Sequence, residues 1–122
     1  MAKQLTGFCS QLPNTFCNPK YGVSLARNAF QFSTTEWTTI KETIKMNTFN
    51  NDGTPNSDGV LTVWMNGRVE PSIRMTGVMF APMKSAITLG INFETFFGGS
   101  QPSFYNTKDQ YSYFKDFKLF AY

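Results

Sequence analysis

The sequence predicts an all-β fold, an antiparallel β-sandwich, and three observations carry that expectation. First, 13 Phe, 5 Tyr and 2 Trp in 122 residues suit a pleated, half-buried surface better than a helix. Second, several runs of strand length alternate apolar and polar residues. Third, turn formers recur between those runs, which gives about seven short strands and no convincing helix.

Taken along the chain, residues 1–20 read as irregular, because Pro13, Asn14, Asn18 and Pro19 interrupt both helix and strand. A strand is expected from Gly22 to Ser33, with Phe30 and Phe32 on one face. The next is expected over Glu36 to Asn47, where alternation puts Ile40, Glu42, Ile44 and Met46 on one side. Trp37, Thr39, Lys41, Thr43 and Lys45 then share the other side. Asn50 to Gly59 is dense in turn residues and reads as a long hairpin loop. Val60 to Asn66 follows as a strand. Asn66-Gly67 is the strongest short hairpin signal, since a type I′ turn needs φ > 0 at both central residues. Arg68 is then expected to open the returning strand. Further strands are expected over Ile73–Phe80, Ala86–Phe97 and Tyr111–Tyr122, with Ala81–Ser85 as a turn and a polar loop from Gly98. The last strand would carry Tyr111, Tyr113, Lys115, Phe117 and Leu119 on one face, and Phe114, Asp116, Lys118 and Phe120 on the other. No repeat is visible, and residues 21–122 read as one module behind the N-terminal segment.

The composition narrows the function classes. Hydrophobic residues at 41% and charged residues at 16% describe a globular chain. The net charge of +3 favours polyanionic partners. The basic residues are scattered singly, without the clustered stripe of a nucleic-acid footprint, so nucleic acid is not the expected partner. No apolar run approaches the roughly 20 residues that span a bilayer. Met1 to Gly7 has no apolar core, so no signal peptide is expected in the chain as it stands. Cys9 and Cys17 either close a short disulfide loop, which implies an oxidising compartment, or remain two free thiols; the bridge is the favoured reading. With two cysteines and no His, no structural metal or cofactor is expected. Asp52 and Asp58 lie in a stretch that superficially mimics a calcium loop, but turn chemistry explains it better. There is no nucleophile elbow, phosphate-binding loop or pair of carboxylates in a glycosidase context.

Three ordered stretches carry a resemblance. The first is Tyr21-Gly22-Val23-Ser24-Leu25-Ala26-Arg27-Asn28-Ala29-Phe30-Gln31-Phe32, followed by Glu36-Trp37-Thr38-Thr39-Ile40. The second is Asn47, then Asp58-Gly59-Val60-Leu61-Thr62-Val63-Trp64-Met65-Asn66-Gly67. The third is Phe93-Glu94-Thr95-Phe96-Phe97-Gly98-Gly99-Ser100, followed by Asp109-Gln110-Tyr111-Ser112-Tyr113-Phe114-Lys115-Asp116-Phe117. In this order and spacing, residues 17–120 resemble the C-terminal half of the domain of polysaccharide lyase family 14. The resemblance implies a jelly roll whose concave sheet binds an acidic, uronate-containing polysaccharide such as alginate or a glucuronan. It also implies cleavage by β-elimination without a metal. Relatives with a Cys-containing segment before the first stretch look like secreted fungal proteins, which supports the Cys9–Cys17 pairing and an extracellular location. Family members are longer, so the jelly roll is expected to be incomplete here. Position 28 is Asn where the family pattern has Gly.

β-Elimination from a uronate needs a cation beside the carboxylate, a base for the adjacent C–H and an acid for the leaving oxygen. Tyr111 and Tyr113 match the family's Tyr-x-Tyr pair, which the resemblance implies is catalytic; the alternative is that they pack or bind passively. Arg74 and Lys84 are the candidates for the upstream basic residue, with Arg74 taken as catalytic. Arg27, Trp64, Lys84 and Lys115 are expected to bind substrate, Trp64 as a platform for a sugar ring. An alternative is a non-catalytic binding or structural module. A half-length jelly roll exposes sheet edges and apolar faces, so self-association into an oligomer or filament is also expected.

Overall fold

The computed structural model describes residues 9–18, 20, 22–86, 90, 92–95 and 101–121. The chain divides into two compact units, Met1–Ile87 and Thr88–Tyr122.

The first unit is all-β and antiparallel. Its strands are β1 (Phe16–Asn18), β2 (Gly22–Ser24), β3 (Ile40–Lys45), β4 (Gly59–Met65) and β5 (Ile73–Val78). β1 and β2 form a hairpin, and β3, β4 and β5 form a three-stranded meander in that spatial order. Leu12, Cys17, Leu25 and Phe30, from the hairpin layer, pack on Ala26, Val63, Ile73 and Met75. Two sheets therefore meet through one small core, as in a sandwich.

Local chemistry sets the strand ends, and several differ from expectation. β1 lies inside the segment expected to be irregular, where Cys17 is paired with Val23 across the hairpin and with Cys9 through a disulfide. The strand expected over Gly22–Ser33 stops at Ser24, because Ala26 and Asn28 take positive φ values of 42° and 69°. Residues in that left-handed region cannot continue a pleated ladder. The strand expected from Glu36 begins at Ile40, because Ser33 Oγ accepts the N–H groups of Thr35 and Glu36 and turns the chain first.

Asn66 and Gly67 do form the expected turn, with φ values of 51° and 66°, closed by the Arg68 N–H on the Met65 carbonyl. Arg68 nevertheless does not open the returning strand. Pro71 has no N–H to give the ladder, and β5 starts at Ile73, with Val63 opposite it. Asn66 instead lengthens the β3–β4 ladder: its N–H donates to the Thr39 carbonyl, and its Oδ1 accepts the Thr39 N–H at 2.8 Å. The expected strand Ile73–Phe80 ends at Val78, after a bulge in which Gly77, at φ 73°, is the extra residue opposite Gly59 and Val60. Gly59 is required where it stands, because a Cβ there would lie 2.5 Å from the Val78 carbonyl oxygen and 2.9 Å from the Phe80 ring.

The described part of the second unit holds a 3₁₀ turn at Pro102–Phe104 and no strand. Of the strand expected over Ala86–Phe97, residues 86, 90 and 92–95 are described and none is in a ladder; the remainder, and Phe96 to Ser100 of the third motif, lie outside the described residues. Residues 111–121 also form no ladder. The alternation expected there fails at Asp116, which sits at φ 59°. Phe114 and Phe117, expected on opposite faces, consequently both meet the Phe93 ring edge-on, at 4.7 and 5.0 Å between centroids.

Candidate functional site

The register of the meander sorts its side chains, because residues directly opposite each other share a face. Ile40 and Met65, Glu42 with Val63 and Ile73, and Ile44 with Leu61 and Met75 occupy the inner face. The outer face consists of three rows: Lys41 beside Trp64; Thr43, Thr62 and Arg74; and Lys45, Val60 and Thr76. It therefore presents three cations and an indole, with no carboxylate from these strands.

Trp64 stands at one end of the outer face. Lys41 Nζ lies 5.1 Å from the centroid of the half-buried Trp64 ring, a cation–π contact. Thr62, on the central strand, is buried between the flanking strands, while Lys41, Lys45 and Arg74 are exposed. Arg74 forms no ion pair with a described residue. Lys41 and Lys45 are about 13 Å apart along β3, and Arg74 lies about 10 Å away, two strand spacings across the sheet. Such spacing suits an extended polyanion better than one small anion.

Trp64 and Arg74 were expected to serve the site, and the register brings them to one face, diagonal to each other across β4 and β5. Lys41, Lys45 and Thr43 were not singled out from the sequence. Their signal was present in the alternation of Trp37 to Lys45, but only the cross-strand register shows that they join Trp64. Arg27 belongs to the hairpin layer, against the opposite side of the sheet. Its guanidinium stacks 4.5 Å from the Phe16 centroid, and its Nε donates to Ser24 Oγ at 3.1 Å. Lys84 is exposed in the turn closed by the Ala86 N–H on the Met83 carbonyl.

In the second unit, Tyr111 and Tyr113 are 80% and 74% exposed. Tyr111 borders a shallow depression of about 440 Å³ formed by Asn106 to Tyr111, held by the Gln110 side-chain amide donating to Asn106 Oδ1. Lys115 Nζ lies 3.9 Å from Asp116 Oδ2, both exposed. Among the described residues, no group of three His, Cys, Asp or Glu side chains is placed to hold a metal ion.

The loop between β3 and β4 owes its shape to turn chemistry. Asp58 accepts the Thr48 hydroxyl and N–H, each at 2.7 Å. Those two bonds, the hydroxyl first, hold its carboxyl below the ordinary aspartate range, with a smaller contribution from Lys45. Asp52 is likewise lowered by the N–H and hydroxyl of Thr54.

Fold and surface together define an all-β protein whose three-stranded sheet carries a cationic, tryptophan-bearing face. The family model of polysaccharide lyase 14 matches residues 1–117, and the chain belongs to that family. The match reaches further towards the N-terminus than the stretches that carried the resemblance. No curated protein and no solved structure matches the chain.

Proposed function

We propose that this polysaccharide-lyase-like protein binds an acidic, uronate-containing polysaccharide across the outer face of β3, β4 and β5, and cleaves it by β-elimination outside the cell. The observation that carries the binding is the set of rows Lys41–Trp64 and Thr43–Thr62–Arg74. Trp64 offers a ring face to a sugar, and Arg74, Lys41 and Lys45 answer carboxylates recurring along the polymer. The Cys9–Cys17 bridge is compatible with an extracellular setting.

For the chemical step, Tyr111 and Tyr113 supply the proton transfers. One acts as base and takes the proton from the carbon next to the carboxylate, a C=C bond forms as the C–O bond to the leaving sugar breaks, and the other acts as acid and protonates the departing oxygen. The test is incubation with alginate and with glucuronan, following the absorbance of the unsaturated product. Replacing Tyr111 and Tyr113 together by Phe should lower turnover by about 10²–10⁴-fold while polymer retention on a gel is preserved. Unchanged turnover in that variant overturns the assignment.

A specific observation favours a second reading, self-assembly. On the inner face, the hairpin covers β4 and β5, but Ile40 and Ile44 of β3 remain 48% and 51% exposed. Exposed isoleucines flanking Glu42 beside a sheet edge offer a contact surface for another copy. Light scattering after size exclusion distinguishes the two: mass rising with concentration supports assembly, and a monomer throughout the range removes it.

A further inference from the structure

We propose that the Cys9–Cys17 disulfide holds a side-chain clip on the outer edge of β5, so that reduction opens that edge. The inference is independent of polysaccharide binding.

β5 is an edge strand of the meander. At Thr76 its outward peptide groups are not left open. The Thr76 N–H donates to Gln11 Oε1 at 3.1 Å, and Gln11 Nε2 donates to the Thr76 carbonyl at 2.9 Å. A side-chain amide can present one N–H and its carbonyl oxygen with nearly the spacing of a peptide group, so Gln11 takes the place of a neighbouring strand. The next residue, Gly77, carries the bulge. Clip and bulge lie side by side, and both are devices that blunt a sheet edge.

Gln11 reaches β5 from the loop closed by the disulfide. The far side of this loop is well tied: the Asn14 carbonyl accepts the Arg27 N–H, Thr15 Oγ1 accepts the Ala26 N–H, and Cys17 is in β1. On the Gln11 side, the bridge from Cys9 to Cys17 is the covalent anchor, with Leu12 tucked against the core. A dithiol would transfer two electrons and two protons to the bridge, leaving two cysteine thiols and itself becoming a cyclic disulfide. The segment carrying Gln11 then loses its covalent anchor, the clip opens, and the outward N–H and C=O of Thr76 lose their partner. Edge protection thus becomes conditional on oxidising surroundings.

Residue-resolved amide hydrogen exchange, with and without a dithiol, tests this, using alkylation and mass to confirm two thiols. Reduction should speed exchange at Thr76 by about tenfold, with the amides of β4 unchanged. Gln11→Ala should give the same rise with the bridge intact, and reducing that variant should add nothing. The proposal is overturned if Thr76 stays protected after complete reduction, if Gln11→Ala leaves it protected, or if protection falls equally across β4, which would make the bridge a general strut.

Discussion

Asn28 sits at φ 69°, where the family pattern leads one to expect Gly. Among side-chain-bearing residues, Asn is one of those that best tolerate this left-handed region, so Asn28 holds the turn that follows β2. Asn28→Gly should therefore change stability little, whereas Asn28→Val should cost about 1–3 kcal/mol, both measurable by urea unfolding. Other motif residues also prove to be structural. Asn47, buried, pairs its side-chain amide with the backbone of Ala81: Oδ1 accepts the Ala81 N–H at 2.8 Å, and Nδ2 donates to the Ala81 carbonyl at 3.1 Å. Asn47→Ala leaves that buried N–H without its acceptor and should cost about 1–3 kcal/mol. Asp58 makes a pH prediction. Its folded pKa is lowered, so its stabilisation is present above the ordinary value of 3.8 and is lost as pH falls through the lower folded value. Melting temperature against pH should fall less steeply through that acid window in Asp58→Asn than in the parent.

At the scale of elements, the central strand β4 organises both faces. Its odd residues Leu61, Val63 and Met65 go inward and its even residues Val60, Thr62 and Trp64 go outward. The Lys41–Trp64 pair should show a coupling of about 0.5–1 kcal/mol in a double-mutant cycle, and an additive cycle would mean the ring is positioned by packing alone. Gly59→Ala should destabilise by about 1–3 kcal/mol, since the new Cβ meets backbone that cannot move aside. Alternation made β4 legible in advance, and Asn66-Gly67 marked its turn. The strand expected over Tyr111–Tyr122 was not so readable. Phe and Tyr suit a strand wherever they occur, but a single left-handed Asp116 rotates Phe117 onto the side of Phe114.

At the scale of the whole molecule, the core is modest among the described residues: Val63, Met65, Ile73 and Met75 are the largest buried apolar ones there. A bridge closing a loop of this length is worth about 2–3 kcal/mol, a large share of the stability of so small a domain. If the outer sheet face binds a polyanion through exposed cations, affinity should fall as salt rises from 50 to 500 mM, because screening shortens the reach of surface charges. Retention unaffected by salt would place the contact on Trp64 and hydrogen bonding instead.

Local chemistry was enough for the all-β class, the alternating faces of β3 and β4, the long loop between them and the type I′ turn, because each depends on neighbours a few residues apart. The order of motifs was enough for the family. Contacts between distant segments decided the rest: Lys41 opposite Trp64, Thr62 between Thr43 and Arg74, and Gln11 on Thr76, 65 residues away. Register and long-range amide pairing arise only when strands meet, since a slip of one residue would turn every side chain to the other face.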